Sequence, residues 1–203
     1  MLERLLNKMG KLYFHYAAMG ASKSASLLMF DFNLRAVGFK TLLLSSALDD
    51  RSGMNKIKSR IGLEAPCLSV KPRDNILKLF QKYHSEKIKI DYVLFDEVQF
   101  AGVKQIDQLA TIVDMYGVNV HAYGLRTDFK MKFFPASMRL MEVAETISEI
   151  KTMCSCGKKA TVNARFIDNK VVRIGAQIMT GDTKEDEKRV FYKPLCRKCW
   201  YSL

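Results

Sequence analysis

The stretch YAAMGASKSA, residues 16–25, stands between an apolar run and a segment with helical periodicity. A phosphate-binding loop joins a strand to a helix in this way, with backbone N–H groups, a lysine and a hydroxyl directed at the phosphates and Mg²⁺. Lys23 and Ser24 supply the lysine and the hydroxyl, whereas Ala17 and Ser22 replace the two consensus glycines. The stretch therefore predicts a phosphate loop, and a small-residue turn into an ordinary helix stays open as the alternative.

Short apolar runs surround this stretch, and longer segments with helical periodicity separate them. Such runs, bounded by polar or small residues, are typical of strands buried in a parallel sheet. Their alternation with helices predicts an α/β fold, here a P-loop-type parallel sheet flanked by helices. Ligands of such sheets bind at the carboxyl ends of the strands. The predicted strands are 11–16, 40–46, 91–97 and 118–125, and the predicted helices are 23–37, 75–84 and 103–116.

An acidic pair, Asp96 and Glu97, ends the apolar run DYVLFDE. A carboxylate after a buried strand is the usual partner of a phosphate loop, because it holds Mg²⁺ directly or through water. The next side chain leaves the strand on its other side, so Glu97 is placed to take a proton from an attacking hydroxyl. Taken alone, the pair is also compatible with two polar residues at a strand exit.

The chain changes character near Lys151, where it becomes basic and rich in turns. Two close cysteine pairs bracket this part, and four thiolates from two such turns form a tetrahedral structural Zn²⁺ site. Four buried free cysteines are the alternative, while Cys67, alone after Pro66, is expected to be an ordinary buried residue. We predict an ATP-binding domain over residues 1–150 and a small zinc-binding domain over residues 151–203. Its predicted metal ligands are Cys154, Cys156, Cys196 and Cys199.

The composition narrows the classes of partner. With 203 residues, 48% of them hydrophobic, the chain can bury a core, and its formal charge of +12 calls for nucleic acid or nucleotide phosphate. The basic residues are scattered and lack an aromatic platform that stacks bases, so no nucleic acid polymer is expected. No apolar run approaches the ~20 residues that span a membrane, and residues 1–12 lack a secretory pattern. These features predict a cytoplasmic protein with no membrane partner.

Taken together, these motifs make the chain resemble the zinc-containing, cytosolic type of thymidine kinase. The resemblance extends from about Lys11 to Trp200. It is carried by YAAMGASKS at the phosphate loop, FDEVQF (95–100), YGLRTDFKMKFFPAS (123–137) and the cysteine segments KTMCSCGKKAT (151–161) and YKPLCRKCW (192–200). It implies a zinc-ribbon domain whose lasso loop closes over the nucleoside.

The resemblance also implies roles for individual residues. The catalytic ones would be Glu97, as the base toward the 5′-hydroxyl of thymidine, and Arg51, near the transferring phosphoryl group. Residues implied to bind ATP and Mg²⁺ are Ala17, Ala18, Met19, Gly20, Ala21, Ser22, Lys23, Ser24, Asp49, Asp96 and Gln99. Residues implied to bind the nucleoside are Met19, Phe100, Leu125, Thr127, Phe129, Phe134, Ile178, Gly181 and Tyr192.

The implied activity is transfer of the γ-phosphate of ATP to thymidine, with deoxyuridine as a further acceptor, using Mg²⁺ and a structural Zn²⁺. The family's usual assembly is a homotetramer inhibited by the end product dTTP. Two alternatives from other classes are a basic zinc-ribbon protein that binds nucleic acid and a relative with weakened catalysis. Ala17 and Ser22, which replace glycines in the phosphate loop, are the residues that suggest weakened catalysis. If position 22 needs a positive φ, its serine is strained.

Overall fold

The computed structural model describes residues 9–48, 55–178 and 190–203 of the chain. Asp49 and Arg51, two of the residues expected at the phosphates, and Gly181, expected at the nucleoside, lie outside these ranges. The described part forms a six-stranded sheet, a three-stranded sheet and a two-stranded hairpin. Within the described ranges, no helix has the length and apolar character needed to cross a membrane.

The six-stranded sheet is parallel throughout, with the order β5-β2-β6-β7-β1-β8. One strand, β7, therefore separates the strand before the phosphate loop from the strand that ends in the acidic pair. All their carboxyl ends lie at one edge of the sheet, as the α/β prediction requires. The strands are β1 (Leu12–Ala17), β2 (Thr41–Ser46), β5 (Leu68–Val70), β6 (Tyr92–Asp96), β7 (Asn119–Leu125) and β8 (Thr146–Ile150).

Helices cover both faces of this sheet. Helix α1 (Lys23–Ala36) packs on one face, where Leu27 and Leu28 join Leu43 and Leu94 in a core. Helices α2 (Ile76–Tyr83), α3 (Val103–Tyr116) and α4 (Pro135–Val143) cover the other face with a larger apolar core. Alternate side chains of β1 go to opposite faces, as a pleated strand requires: Phe14 enters the larger core, and His15 lies on the α1 side.

The part after residue 150 forms its own small sheet, antiparallel, with the order β10-β9-β11. Its strands are β9 (Val162–Ile167), β10 (Lys170–Val172) and β11 (Val190–Leu195), followed by the short helix α5 (Arg197–Tyr201). A separate core forms around Trp200, Phe166 and Val162 together with the cysteines. The hairpin of β3 (Lys56–Lys58) and β4 (Glu64–Pro66) completes the elements of the described chain.

The four predicted strands and three predicted helices of the first domain are confirmed to within one or two residues at each end. Four strands between residues 55 and 150 were not predicted from the sequence: β3, β4, β5 and β8. Helix α4, which begins at Pro135, was also missed. Cys67 is buried, as expected for an ordinary core residue. The domain boundary at Lys151 stays a prediction.

Candidate active site

The predicted phosphate loop connects β1, which ends at Ala17, to α1, which begins at Lys23. Two loop residues adopt a left-handed backbone: Gly20 has a φ of 75° and Ser22 a φ of 58°. Ser22, which replaces the consensus glycine before Lys23, therefore has a backbone conformation that is strained for a residue with a Cβ. Ser22 nevertheless starts the helix, because its carbonyl accepts the backbone N–H of Ser26 at 2.9 Å. Lys23 is buried at the start of the helix.

The first carboxylate of the acidic pair faces this loop. Asp96 ends β6, is 3% exposed, and lies close enough to the hydroxyl of Ser24 for that hydroxyl to affect the pKa of its carboxyl. Burial raises the pKa of the Asp96 carboxyl and the nearby Glu97 charge raises it further, whereas the Ser24 hydroxyl and the Lys23 ammonium oppose the shift. A buried carboxylate beside a hydroxyl is an oxygen donor set that suits a hard cation such as Mg²⁺.

The second carboxylate has a different partner. Glu97 leaves the strand with a left-handed φ of 53°, a strained conformation for a residue with a side chain. Its carboxylate accepts a hydrogen bond from Nε2 of Gln99 at 2.5 Å. Asp96 and Glu97 therefore separate at the strand end as the sequence predicted, one toward Ser24 and one toward Gln99.

Gln99 also links the acidic pair to the end of β7. The side chain is 2% exposed, and its Oε1 accepts the backbone N–H of Leu125 at 3.0 Å. Gly124 makes this approach possible, since a Cβ there would lie 2.7 Å from Oε1 of Gln99. On its other side, the Leu125 carbonyl accepts the hydroxyl of Ser137 at 2.6 Å. Gln99 thus contacts both Glu97 and Leu125, and its expected place at ATP or Mg²⁺ stays a prediction.

Aromatic side chains expected at the nucleoside lie beyond Leu125. The rings of Phe100 and Phe134 meet edge to face with centroids 5.9 Å apart. The ring of Phe129 is 1% exposed and lies 3.7 Å below the guanidinium of Arg165, which donates from Nε to the hydroxyl of Tyr192 at 2.8 Å. The structure thus groups these expected residues in two clusters, Phe100 with Phe134 and Phe129 with Tyr192. Ile178 is 39% exposed, and its implied place at the nucleoside stays a prediction.

Two buried polar side chains of β9 contact the first domain, and sequence reasoning identified neither. Arg165 is 0% exposed and, besides Tyr192, donates to the carbonyls of Ala176 and Gln177 at 3.0 and 3.1 Å. Asn163 is 3% exposed, accepts the backbone N–H of Met19 and donates to the carbonyl of Thr127, both at 2.7 Å. The available signal was weak, because Asn163 and Arg165 are only two polar residues that alternate along the otherwise apolar run VNARFI.

A third overlooked residue lies at the phosphate loop. A Cβ placed on Gly20 would be 3.9 Å from Nη1 of Arg60, so this guanidinium stands beside the turn. Arg60 belongs to the segment SRIG (59–62), where the sequence analysis named no functional residue. Arg60 is solvent-exposed, as a side chain that meets a nucleotide phosphate from solution would be.

The four paired cysteines come together as predicted. The Sγ atoms of Cys154, Cys156, Cys196 and Cys199 all lie within 4.8 Å of one another. Four thiolates around a tetrahedral Zn²⁺ at 2.3 Å stand ~3.8 Å apart, so the cluster needs only a small contraction to hold the ion. Backbone N–H groups of Cys156 and Cys196 lower the pKa of the Cys154 thiol, which favours the thiolate that ligates metal. Gly157, with a φ of 80°, closes the first turn, and its N–H donates to the Cys154 carbonyl.

The class of protein is defined by three features: the strand order, the loop after β1 and the carboxylates at the end of β6. It is a protein with a P-loop-type α/β fold and an added part that carries four clustered cysteines. The family model for thymidine kinase matches residues 10–200. The thymidine kinase of Francisella tularensis subsp. holarctica (strain LVS) is 42% identical over 192 residues, which cover 95% of this chain and 97% of the relative.

Further relatives agree with this match. The thymidine kinase of Rhizobium meliloti (strain 1021) is 42% identical over 194 residues, covering 95% of this chain and 96% of its own. That of Legionella pneumophila (strain Lens) is 43% identical over 190 residues, covering 93% and 88% respectively. The chain belongs to the thymidine kinase family.

Proposed function

We propose that this protein is a thymidine kinase that transfers the γ-phosphate of ATP to the 5′-hydroxyl of thymidine, giving thymidine 5′-monophosphate and ADP. The observation that carries the proposal is that the two neighbouring carboxylates at the end of β6 have different partners. Asp96 lies beside the phosphate-loop residue Ser24, while Glu97 is hydrogen-bonded to Gln99, which in turn contacts the end of β7. Asp96 thus lies on the side of the site that would bind the phosphate donor, ATP. Glu97 lies on the side that would bind the phosphate acceptor, thymidine.

In the reaction, Glu97 takes the proton of the 5′-hydroxyl as its oxygen forms a bond to the γ-phosphorus and the bond to the ADP oxygen breaks. Phosphoryl transfer demands mainly positioning and neutralisation of charge, so one base and a cationic cradle are sufficient. Gln99 fixes the direction of the Glu97 carboxylate, and the left-handed backbone of Glu97 is strained in the way that active sites often are.

The donor side consists of the phosphate loop and Asp96. Lys23 and the N-terminus of α1 neutralise phosphate charge, because helix N–H groups and the helix dipole both favour anions there. Asp96 and the Ser24 hydroxyl would hold Mg²⁺, which would supply positive charge to neutralise the phosphates during transfer. Arg60, beside Gly20, adds a guanidinium on the solvent side of the loop.

The acceptor side is the aromatic region beyond β7. Leu125 and the rings of Phe100, Phe129 and Phe134 offer apolar contacts for a pyrimidine, with Tyr192 across from Phe129. Thr127, two residues after Leu125, is buried and would add a hydroxyl for the base. A site of this kind accepts deoxyuridine as well, since loss of one methyl group changes binding by only ~1 kcal/mol.

The thiolates of Cys154, Cys156, Cys196 and Cys199 would hold a structural Zn²⁺ that fixes the small domain. The proposal further includes a homotetramer and feedback inhibition by dTTP, which carries both the base and the triphosphate that the two sides of the site would bind. The cytoplasmic location stays a prediction from the sequence.

The experiment is a phosphorylation assay with ATP, Mg²⁺ and thymidine, comparing the wild-type protein with Glu97→Gln. The substitution keeps the shape and removes the base, so the proposal expects wild-type turnover and a loss of at least about a hundredfold in kcat in the variant. Asp107→Asn, an exposed carboxylate on α3 that pairs with Arg139, is the matched control and should be fully active. Absence of activity in the wild-type protein would instead support a nucleic-acid-binding protein or a relative that has lost catalysis.

A further inference from the structure

Asn163 makes the closest polar contacts between the cysteine-bearing sheet and the phosphate loop among the described residues. It lies on β9, the central strand of the small sheet, and is 3% exposed. Its Oδ1 accepts the backbone N–H of Met19, which is 144 residues away in the chain, at 2.7 Å. Its Nδ2 donates to the carbonyl of Thr127, 36 residues away, also at 2.7 Å.

The carboxamide group suits this place for a chemical reason. It offers an acceptor and a donor on one rigid plane, and here it satisfies one backbone N–H and one backbone C=O at the same time. Neither an aspartate nor a leucine can do both. Because the side chain is buried, loss of either hydrogen bond leaves a polar backbone group without compensation by water.

The two backbone partners belong to the two halves of the proposed site. Met19 lies in the loop that connects β1 to α1, and Thr127 follows Leu125 at the end of β7. Asn163 therefore bridges the phosphate loop and the base region beyond the point where β1 and β7 stop pairing, at Ala17 and Leu125. The next residue on the same face of β9, Arg165, holds Phe129 and Tyr192.

The opposite face of β9 packs in the core that contains the cysteine cluster. Val162 and Ala164, the neighbours of Asn163, are buried in the same core as Cys154 and Cys196. A chain of packed groups thus runs from the four cysteines through β9 to Asn163, and from there to Met19 and Thr127. Coupling between sites is carried by such contiguous contacts.

We propose that Asn163 is a positioning residue that couples the four-cysteine domain to the phosphate loop and the base region. This inference rests on the proposed function for its kinetic consequence, but the coupling itself is independent of the reaction. Asn163 fixes the loop at Met19 in the conformation that receives ATP, and it keeps Thr127 at the matching distance for the nucleoside.

The test compares the holoenzyme with Asn163→Leu, which removes both hydrogen bonds, and Asn163→Asp, which keeps only an acceptor for Met19. Asn119→Leu is the matched control. The side chain of Asn119 also accepts a backbone N–H, that of Lys11, but at the amino ends of the strands, away from the proposed site. Readouts are hydrogen–deuterium exchange of residues 17–22, kcat and KM for ATP and thymidine, zinc content and the unfolding temperature.

Asn163→Leu is expected to keep its zinc, to accelerate exchange in residues 17–22 and to lower kcat/KM for both substrates by about tenfold. Asn163→Asp should lie between the Leu variant and the wild type, and Asn119→Leu should change only the unfolding temperature. A purely structural role would lower the unfolding temperature of Asn163→Leu without changing exchange or kinetics well below that temperature, which would overturn the proposal.

Two further outcomes have distinct meanings for the coupling and for the proposed function. If the Leu variant does not fold, the same measurements on Asn163→Asp decide the question, with unchanged exchange and kinetics counting against the coupling. If the wild-type protein proves inactive toward thymidine, the proposed function fails, whereas faster exchange of residues 17–22 in the variants would still support the coupling.

Discussion

The Gln99 carboxamide donates a hydrogen bond to the Glu97 carboxylate while its oxygen accepts the N–H of Leu125. The proposed base is therefore oriented by a residue that also fixes the end of the strand leading to the base pocket. Replacement of Gln99 by methionine keeps the volume and removes both hydrogen bonds. We expect kcat to fall about tenfold or more, since the Glu97 carboxylate is less well held in the near-attack geometry without this hydrogen bond.

The control for this change is Gln81→Met on α2, where the glutamine also donates a hydrogen bond, to the hydroxyl of Tyr116, but at the surface and outside the site. Steady-state kinetics of both variants check the prediction. Equal kcat values for Gln99→Met and the wild type would show that Glu97 needs no help from this side chain.

The left-handed φ of 58° at Ser22 gives a second prediction. A residue with a Cβ costs about 1 kcal/mol or more in this region, and glycine adopts it freely. Ser22→Gly is therefore expected to raise the free energy of unfolding by up to about 1 kcal/mol and to lower the KM for ATP, because the relaxed loop fits phosphates better. Ser22→Ala, which keeps the Cβ and removes only the hydroxyl, should keep the strain. Urea unfolding and ATP titrations check both, and identical values for Gly and wild type would contradict the account.

The two stacked histidines predict how stability depends on pH. His15 Nε2 lies 2.9 Å from His121 Nδ1, and burial lowers the pKa of both, that of His121 to about 3 with a further contribution from the His15 charge. A histidine whose folded pKa is depressed stabilises the fold above its unfolded pKa of about 6.5, and the stabilisation is lost as the pH falls.

Between pH 7.5 and 5.5 we therefore expect the wild type to lose about 1 kcal/mol of unfolding free energy that His121→Phe does not lose. Urea unfolding of both proteins at the two pH values is the measurement. Parallel losses in the two proteins would show that His121 does not control this dependence.

The cysteine cluster predicts zinc stoichiometry. Elemental analysis should find about one Zn²⁺ per chain in the wild type and much less in Cys199→Ser, with several kcal/mol of the small domain's stability lost on chelation. Cys67→Ala is the matched control, because Cys67 is buried outside the cluster and burial raises the pKa of its thiol to about 11. Loss of zinc from Cys67→Ala, or its retention by Cys199→Ser, would contradict the assignment.

Much of the first domain was predictable because its strands are continuous apolar runs and its helices have a clear period. The run TLLLSS of β2 is an example, with five of its six residues buried. The missed strands lack this signal. Strand β5 has only three residues, and β8, TISEI, carries a glutamate and has no fully buried residue, since it forms an edge of the sheet.

The site could be predicted where a function depends on neighbours in sequence, as for Lys23 with Ser24, Asp96 with Glu97, and each cysteine pair. It could not be predicted where the partners meet only after folding. Asn163 and Arg165 are two polar residues of a short strand, and their partners come from loops that lie up to 144 residues away. For Gln99 the resemblance implied a place at ATP or Mg²⁺, whereas its contact with Leu125 depends on the packing of β6 against β7.

The central claim, that Glu97 takes the proton from the 5′-hydroxyl during phosphoryl transfer, is tested most directly by single-turnover kinetics. Wild type and Glu97→Gln, each preloaded with ATP and Mg²⁺, are mixed with thymidine, and formation of thymidine 5′-monophosphate is followed by rapid quench. We predict that both bind ATP with similar affinity and that the rate of the first turnover falls at least about a hundredfold in the variant. A variant that binds ATP normally and forms the product at the wild-type rate would contradict the account.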